Sequence, residues 1–111
     1  QWGKMITRYL AGSKTLRVVF LLVDIRHKPT ANDSQLYEWC VHYGFNPIII
    51  ATKEDKIKRS QKQKQIKQIR EALDLVEGTP VIPYSSMTKS GREEIWEYID
   101  MMYEAFTEEQ N

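Results

Sequence analysis

The chain has 111 residues, with sixteen Lys or Arg, fifteen Asp or Glu and a formal net charge of +1. One small domain of this length buries roughly two thirds of its unfolded surface, and the near-balanced charge argues for no polyanionic or membrane partner by itself. One cysteine, Cys40, excludes an internal disulfide and fits a reducing compartment. No apolar run approaches the roughly twenty residues of a membrane-spanning helix.

Taken in order, Trp2, Met5, Ile6, Tyr9 and Leu10 fall at i, i+3, i+4, i+7 and i+8, which predicts a helix over 2–10. Gly12-Ser13-Lys14-Thr15 has the residue types of a phosphate loop but not its spacing: no Gly directly precedes Lys14, and no strand precedes the stretch. Leu16 to Val23 is apolar except for Arg17 and predicts a central strand. Asp24 and Arg26 at its carboxyl end have no partner set for catalysis and are expected to shape the loop or to form salt bridges. His27 and His42 are too few and too isolated for a metal site. Asn32 or Asp33 can cap a helix whose Leu36, Trp39, Cys40 and Tyr43 form one stripe, ending at Gly44.

Ile48-Ile49-Ile50-Ala51 then predicts a strand covered on both faces, stopping at Thr52-Lys53-Glu54-Asp55. Ligands of parallel sheets bind beyond the carboxyl ends of the strands. There Thr-Lys-x-Asp offers a hydroxyl, an aliphatic stem that can lie along a planar ring, and a carboxylate that accepts two hydrogen bonds side by side. Guanine presents adjacent donors at N1 and N2, whereas adenine has an acceptor at N1. An Asp that merely caps the loop is the alternative at this point.

Residues 56–70 hold seven basic residues, Lys56, Lys58, Arg59, Lys62, Lys64, Lys67 and Arg70, and no acidic one. Ser60 with Gln63 reads as a capping box, and Ile66, Ile69, Leu73 and Val76 as the apolar stripe, so these charges fall on the solvated faces of a helix. Such a bias points to a polyanion; with no aromatic residue in the stretch, phosphate contacts are expected in place of base stacking. The strand Pro80 to Ser85 follows, assigned to a sheet edge because Pro83 lacks a backbone donor. It ends in Ser85-Ser86-Met87, which adjacent strand tips would bring beside Asp55, with the Ser86 N–H directed at guanine O6. A last helix, with Ser90 and Glu93 as its capping box, buries Ile95, Trp96, Ile99, Met102, Tyr103 and Phe106 and exposes Glu93, Glu94, Glu97, Asp100 and Glu104.

Trp2-Gly3-Lys4-Met5, Leu21-Leu22-Val23-Asp24-Ile25-Arg26-His27, Trp39, His42-Tyr43-Gly44, Thr52-Lys53-Glu54-Asp55 and Pro83-Tyr84-Ser85-Ser86 together resemble the EngB (YsxC/YihA) family of bacterial GTPases. The resemblance implies that Thr52, Lys53 and Asp55 read guanine with Ser85 and Ser86, that GTP or GDP is the ligand, and that Mg2+ serves the complete family domain. It also implies a cytoplasmic protein that assists assembly of the large ribosomal subunit and cell division (septation), with ribosomal RNA as the partner of the basic helix. Thr52 stands where most other GTPases carry Asn, but the family resembles the present sequence there, and Met87 departs from the Lys of the general Ser-Ala-Lys pattern.

The expected fold is α/β, a three-layer unit with a parallel sheet of three strands flanked by helices. Phosphoryl transfer needs a phosphate cradle, a lysine and metal ligands, yet these residues contain neither a Walker pattern nor Asp-x-x-Gly. The expectation is therefore a single partial G domain over 1–111, the C-terminal half of a P-loop GTPase domain, without ligands for Mg2+ and without hydrolytic activity of its own. Two other classes remain: a nucleotide-independent RNA or ribosome binding module built on residues 56–70, and an α/β enzyme using Asp24 with Ser85 or Ser86. With the other half absent, strand 16–23 is expected to present an open edge and to drive self-association.

Overall fold

Three isoleucines and an alanine set the centre of the molecule, because Ile48, Ile49, Ile50 and Ala51 are all buried. They belong to β3 (Asn46–Thr52). The structure, a computed structural model, describes residues 4–11 and 14–110, with side chains described over 18–105. On one side of β3 lies β2 (Lys14–Asp24), parallel and in register from Val18 opposite Asn46 to Asp24 opposite Thr52. On the other lies β4 (Val81–Pro83), also parallel, pairing Ile49 with Val81 and Ala51 with Pro83. A parallel neighbour requires a crossover. These are supplied by α1 (Ala31–His42) between β2 and β3 and by α2 (Lys62–Leu73) between β3 and β4, while α3 (Arg92–Gln110) follows β4.

Alternation along the strands divides the core in two. Leu21, Val23, Ile49, Ala51 and Val81 face Tyr37 of α1 and Ile69 and Leu73 of α2. Val18, Phe20, Ile48, Ile50 and Ile82 face Ile99 of α3, with Ile95, Tyr98 and Met102 packed at its margin. Each fully buried Ile contributes about 1.5–3 kcal/mol over an exposed one, and both faces need helical cover. The expected α/β three-layer arrangement is present.

The predicted helix over 2–10 is not. Lys4–Ala11 forms β1, antiparallel to β2 from Lys4 opposite Leu21 to Ala11 opposite Lys14, giving the sheet order β1-β2-β3-β4. Ile6, Thr7 and Tyr9 favour strands, and the neighbouring edge of β2 offers a full set of backbone partners, so pairing overrides the helical spacing. The expected open edge at 16–23 is thereby covered from within the chain, and self-association through it loses its basis. Trp2, Gly12-Ser13 and the side chain of Phe106 lie outside the described residues.

Smaller departures concern where the helices begin and end and which faces they bury. Thr30, not Asn32 or Asp33, caps α1: its Oγ1 accepts from Asp33 N–H while Asp33 Oδ2 accepts from Thr30 N–H. The buried aromatic of α1 is Tyr37, whose hydroxyl hydrogen-bonds Thr79 Oγ1 at 2.9 Å and accepts from Val76 N–H at 2.9 Å. A buried phenol needs such partners. Trp39 and Tyr43 are exposed instead, with the Trp39 ring against Tyr43 and Phe45. Val76, beyond the end of α2, and Trp96 on α3 are exposed as well. Gln61, in place of Ser60 and Gln63, supports the start of α2 by accepting from Lys58 N–H. Cys40 is buried, as its place on the apolar stripe implied.

Tyr37→Phe keeps the packed ring but removes both hydrogen bonds, leaving the Val76 amide without its acceptor. Loss of about 1 kcal/mol of unfolding free energy is expected, read as a lower urea midpoint at unchanged m-value.

Candidate functional site

The carboxyl tips of β2, β3 and β4 are tied together by backbone. Ile25 N–H donates to Thr52 O at 2.9 Å, Tyr84 N–H to Ala51 O at 2.8 Å, and Glu54 N–H to Tyr84 O at 3.0 Å. Thr52 uses its own hydroxyl in the same way, donating to Val23 O at 3.1 Å. A residue of this size at a strand end therefore locks two tips and is turned inward. Lys53 then adopts the left-handed conformation, φ 67°. This is uncommon for a residue with a side chain, and it swings the chain out of the sheet into the single turn Glu54–Lys56.

That turn delivers Asp55 to Ser85. Ser85 is fully buried and donates from Oγ to Asp55 Oδ1 at 2.8 Å, while its Oγ accepts from Met87 N–H at 3.2 Å and Thr88 N–H at 3.1 Å. The hydroxyl is saturated and its rotamer fixed, so it acts as a rigid post for the carboxylate. The Ser85 hydrogen bond pulls the Asp55 carboxyl below the ordinary range, against a smaller opposing effect of burial and with backbone, Lys56 and Lys53 assisting. Asp55 Oδ2 has Lys56 Nζ only at 3.8 Å. A carboxylate has about four acceptor sites, and Ser85 occupies one.

Ser86 is exposed and, among the described residues, its N–H has no acceptor, whereas the amides on either side are engaged. The loop carrying it passes close over β4: at Gly91, φ 87°, a Cβ would collide with Pro83 O, which no side chain permits. Gly91 is a site-shaping residue that the sequence reading missed; its signal was a glycine standing directly before a helix where a cap residue is usual.

Asp24 and Arg26 pair with each other as expected. Arg26 Nε and N–H both donate to Asp24 Oδ1, and Nη2 reaches Oδ2 at 2.8 Å. The Arg26 side-chain hydrogen bond holds the Asp24 carboxyl below its usual range. Among the described residues, neither forms a hydrogen bond or ion pair with Ser85 or Ser86.

The basic run divides by structure. Lys62 forms an ion pair with Glu54 at 3.0 Å, and Arg70 donates to Thr79 O at 2.9 Å. Lys56 lies beside Asp55, while Lys58, Arg59, Lys64 and Lys67 are exposed and, among the described residues, have no side-chain partner of opposite charge. Gln65, also in α2, donates to Ile25 O at 2.8 Å, tying this helix to the β2 tip. Among the described residues no group of three His, Cys, Asp or Glu could hold a metal ion, and no helix is long and apolar enough to cross a membrane.

The geometry thus joins two motifs thirty residues apart into one rim, with an aligned carboxylate, a free amide and a lysine stem. No protein-family model matches the chain. Among curated proteins, a probable GTP-binding protein EngB of Lachnoclostridium phytofermentans is 53% identical over 104 residues, 94% of this chain and 52% of that protein. The chain belongs to the EngB family. The probable GTP-binding protein EngB of Lachnospira eligens is 53% identical over 100 residues, 90% of the chain and 47% of the relative. That of Clostridioides difficile is 50% identical over 103 residues, 93% and 51% respectively. The chain spans about half the length of these EngB relatives.

Ser85→Ala removes the main cause of the Asp55 shift, so the Asp55 titration midpoint should move up toward the ordinary carboxylate value, followed by carboxyl carbon NMR. A depressed carboxyl pKa stabilises the fold above the unfolded pKa of about 3.9 and ceases to do so as pH falls through the folded value. The variant should therefore lose stability at neutral pH relative to the parent, and the difference should shrink at acid pH to the part due to the lost Met87 and Thr88 amide bonds.

Proposed function

We propose that this chain is the guanine-reading part of a GTP-binding P-loop GTPase domain, a partial G domain whose phosphate-binding half is not among these 111 residues. The observation that carries the reading is the 2.8 Å hydrogen bond from Ser85 Oγ to Asp55 Oδ1, which makes one acceptor surface of the two motifs. The names of the EngB relatives support it. In this reading Asp55 accepts from N1–H and the N2 amine of guanine, the Ser86 N–H donates to O6, and the Lys53 stem covers one ring face. Thr52 keeps the β2 and β3 tips joined beneath them, and Ser85 orients Asp55. The carboxylate discriminates because adenine would set an acceptor against it, leaving like groups facing each other in a partly desolvated site.

GTP or GDP is thus the ligand class, and a divalent ion such as Mg2+ would accompany the phosphates. The described residues of this chain do not fit that ion, since no group of three His, Cys, Asp or Glu among them could hold it. Hydrolysis belongs to the complete domain, and the chain alone is expected to be inactive. The family resemblance further supports a cytoplasmic role in assembly of the large ribosomal subunit and in cell division.

A second reading rests on the open charges of Lys58, Arg59, Lys64 and Lys67: α2 and the turn before it contact ribosomal RNA phosphates, with or without nucleotide. The two are compatible, since the guanine rim is built from the turn after β3 and the loop after β4, whereas these charges stand on α2 and the turn before it.

Asp55→Asn in a complete domain carrying this chain should weaken GDP and favour xanthosine diphosphate, because an amide donor then meets the O2 of xanthine. Equal loss for both bases in a calorimetric titration would remove the pocket assignment. The isolated chain should bind GDP no tighter than about millimolar, since a base contact alone barely offsets the cost of association. For α2, Lys64→Gln with Lys67→Gln should weaken RNA binding and flatten its log-log salt slope by about 0.7–0.9 per lost contact; an unchanged slope would mean that the charges serve solubility.

A further inference from the structure

Among the described residues, the backbone of the turn that presents Asp55 is tied to the neighbouring strand tip by one hydrogen bond, Glu54 N–H to Tyr84 O at 3.0 Å. The turn is three residues long, closed by Lys56 N–H to Lys53 O at 2.9 Å and by a longer contact from Ile57 N–H to Glu54 O at 3.4 Å. It starts from a left-handed Lys53. Ser85 grips Asp55 through a single hydrogen bond, about which the carboxylate can still turn. A second side-chain anchor is supplied by Glu54, whose carboxylate meets Lys62 Nζ at 3.0 Å with side chains only 17% and 30% exposed. Such shielding sets this pair apart from an ordinary surface ion pair, which solvent and salt weaken. Lys62 also stands at the first residue of α2, where a cation opposes the helix dipole. The Glu54 carboxylate offsets that opposition. Lys62 is itself firmly placed, because Ile69 and Leu73 of its helix are buried and Gln65 is bonded to the β2 tip.

Resting on the guanine reading above, we propose that Glu54, clamped to α2 by Lys62, is a positioning residue that fixes the orientation of the Asp55 carboxylate and so sets the preference for a base with an amine beside N1–H. Accepting one hydrogen bond tolerates rotation of a carboxylate, whereas accepting two side by side does not. Loosening the turn therefore costs a guanine base more than hypoxanthine, which has the N1–H and O6 but no amine. Lys62 leaves the RNA-facing set in this account and serves the base site through Glu54.

The test uses a full-length EngB protein in which these 111 residues replace the matching part of a relative, with GDP and inosine diphosphate titrated by displacement of a fluorescent nucleotide. Glu54→Gln and Lys62→Gln should each lower the GDP to inosine diphosphate affinity ratio by about threefold or more, the scale of losing a partly shielded ion pair, with inosine diphosphate affinity nearly unchanged. The exchanged pair, Glu54→Lys with Lys62→Glu, should recover much of the ratio. Weaker binding of both nucleotides at a constant ratio would show a purely structural pair and overturn the inference. So would single variants indistinguishable from the parent. A parent with no preference for GDP would instead overturn the guanine reading itself, which separates the two failures.

Discussion

Burial of β3 on both faces is the constraint from which the rest of the architecture follows. Ile48 to Ala51 leave no solvated side on that strand, so helices must cover both faces and polar chemistry can begin only where the strand ends. Thr52 marks that boundary: its hydroxyl is spent on Val23 O, sealing the last gap between strand tips. The left-handed Lys53 then turns the chain away from the apolar layer within one residue. The Asp55 carboxylate can stand four residues from the buried Ala51 only because this transition is so abrupt. The same logic governs β4, where Val81 and Ile82 are buried and the polar chemistry starts at Ser85.

What was legible in the sequence was legible because burial writes periodicity. The runs at 16–23 and 48–51, the edge strand with Pro83 and the place of Cys40 could be read from apolar continuity and proline chemistry. So could the meeting of Asp55 with Ser85, since parallel strands in adjacent positions must bring their tips together. The Lys4–Ala11 segment misled because its apolar residues satisfy a helical spacing, while the choice was made by the unpaired backbone of β2, a long-range term that no local window contains. Tyr37 was passed over in favour of Trp39 and Tyr43 for a related reason: its burial depends on Thr79 and Val76, some forty residues away. The Glu54 to Lys62 pair and the Gln65 bond to Ile25 are likewise invisible in one dimension, because single polar residues on a turn or helix carry no pattern.

Charge is segregated across the sheet. α2, on one face, carries Lys62, Lys64, Lys67 and Arg70, while α3, on the other, exposes Glu93, Glu94, Glu97 and Asp100. A net charge near zero thus conceals a strongly polar molecule. Such a distribution favours one orientation toward a polyanion and disfavours the opposite one before any contact is made.

β4 pairs with β3 over only three positions and lies at the end of the sheet, yet it delivers Ser85 and Ser86. So short a ladder contributes little by itself, and resistance to local opening then rests on buried apolar contacts. The rim is therefore assembled from parts held in different ways. Asp55 springs from a strand laddered on both sides, while the Ser85 hydroxyl arrives on a strand held by three ladder positions and anchored chiefly by the burial of Val81 and Ile82, one in each apolar layer, so the rim keeps its shape only while both layers stay closed.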